Sequence, residues 1–445
     1  MLITELPWQD PLVAFAALAD DPQLAFLDGA SANDPRAKVS YLCPDPRATL
    51  RLDDATDRDP FTTLGDWLAQ HRPAQPPGLD APLPFAGGAV GFLGYELGFA
   101  ANGVSSRHPA IADLPGGWFG LYDTVLGYDH GTRQAWFIGC DRPDAPAAAR
   151  LAELRQKLAG PSRLGRAPAL SWRPEMSRAT YQQNLAKIRA YIAAGDIYQA
   201  NLTVRFQAVR PARFCTAALY AGLRRISPAP FGAYVGCGPG TAIIGASPER
   251  FLRLDRAGQV ESRPIKGTAR RGATPDEDAR LAAGLRASEK DRAENLMIVD
   301  LMRNDIGQLC DIGSVRVSAL FAVEHFAQAH HLVSAVEGRL RAGSDAIDLL
   351  RATFPGGSIT GAPKIRAMQI IDEVEAGARG AYCGAVAWIG FDGAMDSAIT
   401  IRTIVATPSA LLAQAGGGIV WDSDADAEYE EMRLKVAPLL EARFD

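Results

Sequence analysis

The sequence predicts an α+β fold. Runs with strand character follow one another in groups and helical patterns lie between the groups, whereas an α/β fold would alternate strand and helix regularly. The 445 residues are 47% hydrophobic and 22% charged, a composition typical of a globular protein with an ample core. The chain contains no internal repeat. Its length predicts one large domain or two that pack closely together.

Residues 1–160 are predicted to form an N-terminal subdomain. The elements expected there are the helix Pro60–His71, the strands 120–129 and 135–139 of one hairpin, and a helix near 147–158. An irregular segment rich in Ala, Arg and Pro follows this helix. This segment predicts a domain boundary, after which a second region, residues 175–445, begins.

The second region begins with the clearest helix of the chain, residues 177–194. Its apolar residues recur on one face, Ser177 can cap its start and Gly195 can close its end. Further strands are predicted at 201–208, 231–235, 241–246, 251–254, 259–262, 315–317, 330–336, 381–391, 398–407 and 411–415. Further helices are predicted at 279–287, 291–302, 346–353, 362–371 and about 425–443.

Charge and cysteine usage exclude several classes of function. A net charge of −5 argues against a nucleic-acid-binding protein, which should carry a basic excess. The six cysteines are scattered without a C-x-x-C pair, which argues against a zinc ribbon or a disulfide framework and indicates a reducing, cytoplasmic location. Neither a signal peptide nor an apolar run of membrane-spanning length is present, so no membrane association is expected.

Lys266 is the residue that stands out most in the chain. Only seven of the 46 basic residues are lysines. Lys266 lies two residues after Pro264, where an extended run ends, and the Gly-Thr after the lysine predicts a tight turn. Burial gives a lysine a free amine that can act as nucleophile or base, which arginine cannot supply. The alternative is a strand-end lysine that points into water.

Three acidic residues predict a magnesium site. Glu294 lies in a helix whose other side is apolar, and Glu428 and Glu431 are three residues apart, hence on one helical face. Carboxylates on rigid helices suit Mg²⁺, which keeps several waters and takes oxygens from its substrate. For an isolated Glu-x-x-Glu pair, a solvated helix face is the alternative. No H-E-x-x-H motif or Cys/His cluster exists, so zinc is not expected.

Basic and glycine residues in the same region predict an anionic substrate. The amides of Gly417 and Gly418 are open to close approach by a ligand carboxylate. Lys435 follows Glu431 by four residues on the same helical face. Arg402 is a charge inside an otherwise apolar predicted strand and should have a fixed anionic partner, either the substrate or a structural Asp.

The glycine-rich turn 354–364 is not a P-loop. Gly361 is followed by Ala-Pro and not by Lys-Ser or Lys-Thr, which disfavours a nucleotide-hydrolysing enzyme. With Pro363 at the start of a helix, the turn still predicts an anion site built from backbone amides, to which Gly361 belongs. The second region thus combines anion-binding groups, acidic residues and a singular lysine. That combination predicts a dicarboxylate or similar anion bound through Mg²⁺.

Seven segments together resemble the chorismate-utilising enzymes. They are residues 247–251, 263–268, 291–305, 330–334, 354–364, 399–403 and 415–420, in that family's order. The N-terminal segment 83–96 is similar to the aminating branch of the family. The resemblance implies a chorismate-binding sandwich of two large antiparallel sheets with helices packed outside. The active site is then expected in the C-terminal half.

The resemblance also implies roles for individual residues. In Lys266 the chain resembles the family members that aminate chorismate at C4, which carry lysine at this position. Members that make anthranilate carry alanine there. Lys266 is then the nucleophile at ring C2 and Glu249 the general acid for the C4 hydroxyl, with His331 and Thr268 near the reacting atoms. The remaining implied roles are magnesium binding by Glu294, Glu431 and Glu428, and carboxylate binding by Arg402, Lys435, Gly417 and Gly418.

The implied partners are chorismate and a separate glutamine amidotransferase subunit. The Gly-x-Cys-x-Gly setting of a glutaminase is absent from the chain, so ammonia is expected from that subunit or from free ammonium. Two alternatives remain. One is the anthranilate-forming branch of the same family. The other is a non-catalytic ligand-binding subunit, which should have lost Glu249, Lys266 or the acidic residues.

Overall fold

A computed structural model of the chain describes residues 1–29, 34, 36–53, 58–73, 81–142, 144–325 and 329–444. Within them the strands are β1 (Leu2–Leu6), β2 (Ala25–Asp28), β3 (Val39–Cys43), β4 (Ala48–Leu52), β5 (Gly88–Leu93), β6 (Gly117–Tyr122), β7 (Thr124–Asp129), β8 (Gln134–Gly139), β9 (Arg173–Pro174), β10 (Gln199–Val209), β11 (Phe231–Gly236), β12 (Ala242–Ser247), β13 (Arg250–Leu254), β14 (Gln259–Ser262), β15 (Ile265–Arg270), β16 (Arg316–His325), β17 (Ala329–Arg339), β18 (Gly361–Ala362), β19 (Ala385–Gly390), β20 (Met395–Ile399), β21 (Thr403–Ala406) and β22 (Ala410–Ile419).

The helices are α1 (Pro11–Leu18), α2 (Pro60–His71), α3 (Leu97–Ala101), α4 (Ala147–Ala159), α5 (Arg178–Ala193), α6 (Thr216–Ile226), α7 (Pro275–Ala287), α8 (Glu289–Gly307), α9 (Ala346–Thr353), α10 (Lys364–Val374) and α11 (Ala425–Glu441). Most begin where the sequence supplies a cap. Ser177 accepts a hydrogen bond from the Thr180 amide at the start of α5, and Asp345 forms a capping box with Asp348 at the start of α9. None of the described helices has the length and apolar character required to cross a lipid bilayer.

The strands form two antiparallel sheets. The first runs β1-β8-β7-β3-β2-β11-β12-β21-β22-β10-β18, with β9 also paired to β10. The second runs β15-β17-β14-β13-β20-β19-β5-β6-β4, with β16 also paired to β17. Each sheet contains strands from both predicted regions, 1–160 and 175–445. The division into these two regions remains a prediction.

The hydrophobic core has three layers. The middle layer lies between the sheets and joins side chains such as Val235 and Ile243 of the first sheet to Phe92 and Trp388 of the second. One outer layer packs α1, α4, α5, α6, α10 and α11 on the first sheet. The other packs α2, α3, α8 and α9 on the second. The predicted α+β sandwich with helices outside is therefore confirmed.

Two predicted strands are each divided between the sheets. The run 120–129 breaks at Asp123, where β6 of the second sheet ends and β7 of the first begins. Asp123 is buried and accepts hydrogen bonds from Arg142 and Arg150, so the crossover is fixed by charge pairing. The run 398–407 likewise divides into β20 and β21 around residues 400–402. The prediction of single strands was wrong at both places.

Candidate active site

Lys266 lies in a β-bulge on the edge of the second sheet. Ile265 pairs with Val333 and Thr268 with His331, so β15 holds one more residue than β17 between these pairs. Gly267 occupies the extra length with φ +87°, a conformation that glycine adopts without strain. The tight turn predicted after a strand end was therefore wrong, because the strand continues through the bulge. The bulge turns the Lys266 side chain toward α8.

Lys266 and Glu294 form an ion pair across the site. The Lys266 Nζ donates a hydrogen bond of 2.7 Å to Glu294 Oε1 on α8. The two side chains are 12% and 15% exposed, so this lysine does not point into open water. Gly267 and Asp291 of α8 approach so closely that a Cβ on the glycine would lie 3.0 Å from the Asp291 Cβ.

Glu249 lies beside Lys266 on the connection between β12 and β13. Its side chain is buried, and its carboxyl group accepts hydrogen bonds from the Ser358 hydroxyl and the Ile265 amide. Burial raises the pKa of Glu249 above that of an ordinary glutamate, although these bonds and the charge of Lys266 oppose the rise. A raised pKa favours the protonated form, from which a carboxyl group can deliver a proton to a leaving group.

Thr268 and His331 face each other across β15 and β17. The Thr268 Oγ1 and the His331 Nδ1 lie 3.0 Å apart. Burial, with the charges of Arg36 and Arg402, lowers the pKa of His331 to about 4. The imidazole is therefore neutral near pH 7 and can donate or accept a hydrogen bond without adding charge to the site.

The triple-glycine strand runs between the acidic helices. A Cβ on Gly418 would lie 2.9 Å from Glu294 Oε1, and a Cβ on Gly417 would lie 3.2 Å from Glu428 Oε2. The bare backbone is thus what allows both carboxylates to approach β22. β21 pairs with β22 only as far as Ala413, so among the described strands the glycines pair with β10 alone.

Glu428 and Glu431 lie on the first turns of α11, each close to a lysine. Glu428 Oε1 accepts a hydrogen bond of 2.8 Å from Ser423 and lies 3.9 Å from the Lys290 Nζ. Glu431 Oε1 lies 2.6 Å from the Lys435 Nζ, which also donates to the Gly416 carbonyl. Burial raises the pKa of Glu428, with Glu431 adding to the rise. The pKa of Glu431 is lowered, because Lys435 outweighs the effect of partial burial.

The carboxylates suit magnesium by chemistry. Glu294, Glu428 and Glu431 offer only oxygen donors, which Mg²⁺ prefers, and each carboxylate lies near a lysine that balances its charge. Within the described residues, no group of three or more His, Cys, Asp or Glu side chains is arranged to hold a metal ion. The three glutamates would thus supply part of a coordination shell that water and substrate oxygens complete. Magnesium binding remains a prediction.

Arg402 lies in the loop between β20 and β21 and not inside a strand. Its backbone has φ +52°, a left-handed conformation that is uncommon for residues other than glycine. Burial lowers the pKa of its guanidinium group, opposed by the charge of Glu431. Within the described part of the chain, the Arg402 side chain forms no ion pair with any carboxylate, so the structural Asp considered above is not found. A buried cation of this kind is suited to a substrate anion.

The turn 354–364 is buried and contacts both β10 and Glu249. Gly361 lies in β18, which pairs with β10 at Gln199 and Ala200. The Ser358 hydroxyl contacts Glu249, as described above, and the Asn201 amide donates to the Thr360 carbonyl. The role of Gly361 in binding an anion remains a prediction.

Gln199 was missed by the sequence reasoning. Its side chain is fully buried beside the glycine strand, where a Cβ on Gly418 would lie 2.5 Å from its Nε2. The Nε2 donates to Asn201 Oδ1 at 3.1 Å, and the Oε1 has no hydrogen-bond partner among the described residues. A signal was present, because Gln199, Asn201 and Thr203 alternate along a buried strand and place three polar side chains on one face.

A separate cavity of about 840 Å³ lies between the two sheets. Its walls include Leu27, Tyr41, Phe231 and Trp388, together with the ion-paired Arg250. None of the predicted site residues, all of which are described, lines this space. The candidate site and this cavity are therefore two separate regions of the molecule.

Comparison with known proteins identifies the family of this chain. The family described as chorismate binding enzyme matches residues 26–441, and this chain belongs to that family. It is 43% identical to aminodeoxychorismate synthase component 1 of Klebsiella aerogenes, over 98% of this chain and 97% of that protein. It is 38% identical to anthranilate synthase component 1 of Streptomyces coelicolor, over 97% and 86% of the two chains.

A solved structure agrees with the fold. The crystal structure of anthranilate synthase component I from Streptococcus pneumoniae matches with a TM-score of 0.81 at 31% identity. The match covers 92% of this chain and 93% of that one. The predicted family and the predicted enzyme class are thus confirmed.

Proposed function

We propose that this chain aminates chorismate with ammonia to give 4-amino-4-deoxychorismate, in a reaction that requires Mg²⁺. The observation that carries the proposal is the position of Lys266, whose Nζ pairs with Glu294 of α8 and lies beside the buried carboxyl group of Glu249. The 43% identity to a component 1 of aminodeoxychorismate synthase supports the same activity.

Lys266 and Glu249 divide one difficult substitution into two steps. The Lys266 nitrogen bonds to ring C2, the ring double bonds shift and the C4–O bond breaks. The hydroxyl leaves as water with the proton of Glu249, and the bonded amine then releases a proton that restores the acid. Ammonia next bonds to C4, the double bonds shift back and the C2–N bond breaks. One proton of the ammonia passes to the departing Lys266 amine.

The other site residues bind the substrate. Arg402, Lys435 and the amides of Gly417 and Gly418 are suited to the two carboxylates of chorismate. Among the described residues, Arg402 has no carboxylate partner and the glycines of β22 pair with β10 alone. Glu294, Glu428 and Glu431 would hold Mg²⁺, which when bound supplies positive charge to a substrate carboxylate. The neutral His331 and its Thr268 partner lie next to Lys266 and orient hydroxyl or ammonia hydrogen bonds there.

Ammonia is proposed to come from a separate glutamine amidotransferase subunit. The relative from Klebsiella aerogenes is named component 1, which implies a second component. The chain itself lacks the Gly-x-Cys-x-Gly sequence of a glutaminase. Free ammonium is therefore expected to replace the partner in a purified system, whereas glutamine alone is not.

Product identification tests the proposed function. The purified chain is incubated with chorismate, Mg²⁺ and ammonium, and the products are separated by liquid chromatography. We expect 4-amino-4-deoxychorismate, and p-aminobenzoate only after a lyase is added. The competing activity is anthranilate formation, which the 38% identity to an anthranilate synthase component 1 keeps in consideration. Blue-fluorescent anthranilate formed without a lyase would contradict the proposal.

A further inference from the structure

Lys364 is a buried lysine that none of the roles above uses. It is the first residue of α10 and ends the turn 354–364. Its Nζ donates to Asp305 Oδ2 at 2.6 Å and to the Thr353 carbonyl at 2.7 Å. The side chains of Lys364 and Asp305 are only 8% and 6% exposed. One ammonium group therefore joins the start of α10, the last turn of α9 and the C-terminal half of α8.

The ion pair connects the two halves of the proposed active site. α8 carries Asp305 near its end and Glu294 three turns earlier, about 16 Å away along the helix axis. The turn that Lys364 ends carries Ser358, which hydrogen-bonds to Glu249. Between them Gly357 packs against Leu301 of α8 so tightly that a Cβ there would collide with the leucine. The position of α8 along this turn thus sets the spacing of Glu294 from Glu249.

A buried ion pair is a costly way to stabilise a core. An apolar pair of similar volume is often as stable or more stable, because two charges need not be removed from water. The directional bonds of Lys364 to a carboxylate and a carbonyl instead select one axial position of α8, which apolar packing would leave less defined. The Nζ is buried and bonded to both Asp305 and the Thr353 carbonyl, so the two contacts join elements of the fold.

We propose that Lys364 is a positioning residue whose pair with Asp305 fixes α8 against the turn 354–364. In doing so it holds Glu294 and the paired Lys266 at a working distance from Glu249. The roles of these three residues rest on the proposed function. The placement of α8 by Lys364 does not, so it can be measured without any turnover.

The test compares Lys364→Met with the double variant Lys364→Met, Asp305→Leu. The single variant leaves an unpaired buried carboxylate and should lower the thermal unfolding temperature, whereas the double variant removes both charges and should recover it. If the pair acts by positioning, the double variant still lowers kcat by about 10- to 100-fold, because a displacement on the order of 1 Å can cost about 10²-fold. Its KM for chorismate should change little. Amide hydrogen exchange in residues 289–298 should become faster.

The matched control is Arg366→Met on the same helix. Arg366 forms an exposed ion pair with Asp196 at 2.8 Å, away from α8, so exchange in α8 and kcat should not change. A double variant with recovered stability, wild-type kcat and wild-type exchange would overturn the positioning role. Faster exchange with unchanged kcat would also overturn it. If the wild type makes no 4-amino-4-deoxychorismate while the exchange changes as expected, the proposed function fails and the placement of α8 stands.

Discussion

The Lys266 site and the cavity between the sheets are built on different principles. The cavity is a space of about 840 Å³ left where two twisted sheets pack face to face, and regular strand residues line much of it. The Lys266 site is assembled from irregular points, namely the bulge at Gly267, the connection at Glu249 and the loop at Arg402. The cavity thus follows from the packing of regular strands, whereas the candidate site follows from breaks in the strand pattern.

Charge distinguishes the two regions further. In the cavity, Arg250 is paired with Asp396 at 2.9 Å and with Glu261 at 3.0 Å, so its charge is balanced by fixed carboxylates. In the Lys266 site, Arg402 has no such carboxylate among the described residues. The carboxylates that lie beside lysines there are also the proposed ligands of a metal ion. A site with exchangeable charge partners is prepared for a charged ligand.

The largest expected effect is at Lys266. Lys266→Ala should lower the rate of 4-amino-4-deoxychorismate formation by about 10⁴-fold or more, the scale on which removal of a covalent nucleophile lowers kcat. Chorismate should still bind, because Arg402, Lys435 and the glycine amides remain. The control is Lys187→Ala, an exposed lysine of α5, which should retain full activity. Full activity of Lys266→Ala would make this lysine structural.

Glu261, which lines the cavity, provides the control for a substitution of Glu249. Glu249→Gln should lower kcat by about 10²- to 10⁴-fold, the typical contribution of a general acid. Since burial raises the pKa of Glu249, the wild-type rate should decline as pH rises through that raised value and the carboxyl loses its proton. This decline should be absent from the variant. Glu261→Gln should keep both kcat and the pH profile. If it lowered kcat as much as Glu249→Gln does, the distinction between the cavity and the Lys266 site would be wrong.

The dependence of the rate on Mg²⁺ should change when Glu294 is replaced. Glu294→Gln removes one proposed magnesium ligand and the partner of Lys266, and should raise the Mg²⁺ concentration for half-maximal rate by at least about tenfold. Calorimetric titration of Mg²⁺ into the chorismate-bound protein provides a readout apart from turnover. Glu430→Gln serves as control, because Glu430 pairs with Arg178 on the exposed side of α11. Equal Mg²⁺ affinity in both variants would remove Glu294 from the metal site.

The smallest effect is expected from filling the cavity. Ala233 is a buried residue of β11 on the cavity wall. Ala233→Val adds a β-branched side chain that suits a strand and should stabilise the fold by about 0.5–2 kcal/mol. Thermal unfolding measures the gain, and kcat should stay unchanged. A large fall in kcat with intact stability would show that the cavity participates in the reaction.

Regular elements could be predicted from the sequence where one pattern dominates. The helix at 177–194 has a cap and a clear apolar face, and the structure places α5 at Arg178–Ala193. α1 was missed because Pro11–Leu18 is apolar almost throughout and shows no helical period. β1 and α6 were missed as well. The division of the runs at Asp123 and at 400–402 was also missed, because apolar residues continue on both sides of each break.

The sequence singled out candidate site residues, but not the contacts between them. Residue type and local sequence singled out Lys266, Glu294 and Arg402. The ion pair of Lys266 with Glu294 joins positions 28 residues apart through a bulge, and no local pattern encodes it. Arg402 was placed in a strand because its neighbours are apolar, whereas its backbone leaves the strand conformation at that residue. Tertiary packing decides such details.

Trapping of the covalent intermediate tests the central claim most directly. Wild-type protein is mixed with chorismate and Mg²⁺ without ammonia, quenched and examined by intact-protein mass spectrometry with peptide mapping. The account predicts a mass gain equal to chorismate less one water, located on Lys266 and absent from Lys266→Ala. Unmodified protein that still aminates chorismate when ammonium is supplied, or an adduct on another residue, would contradict it.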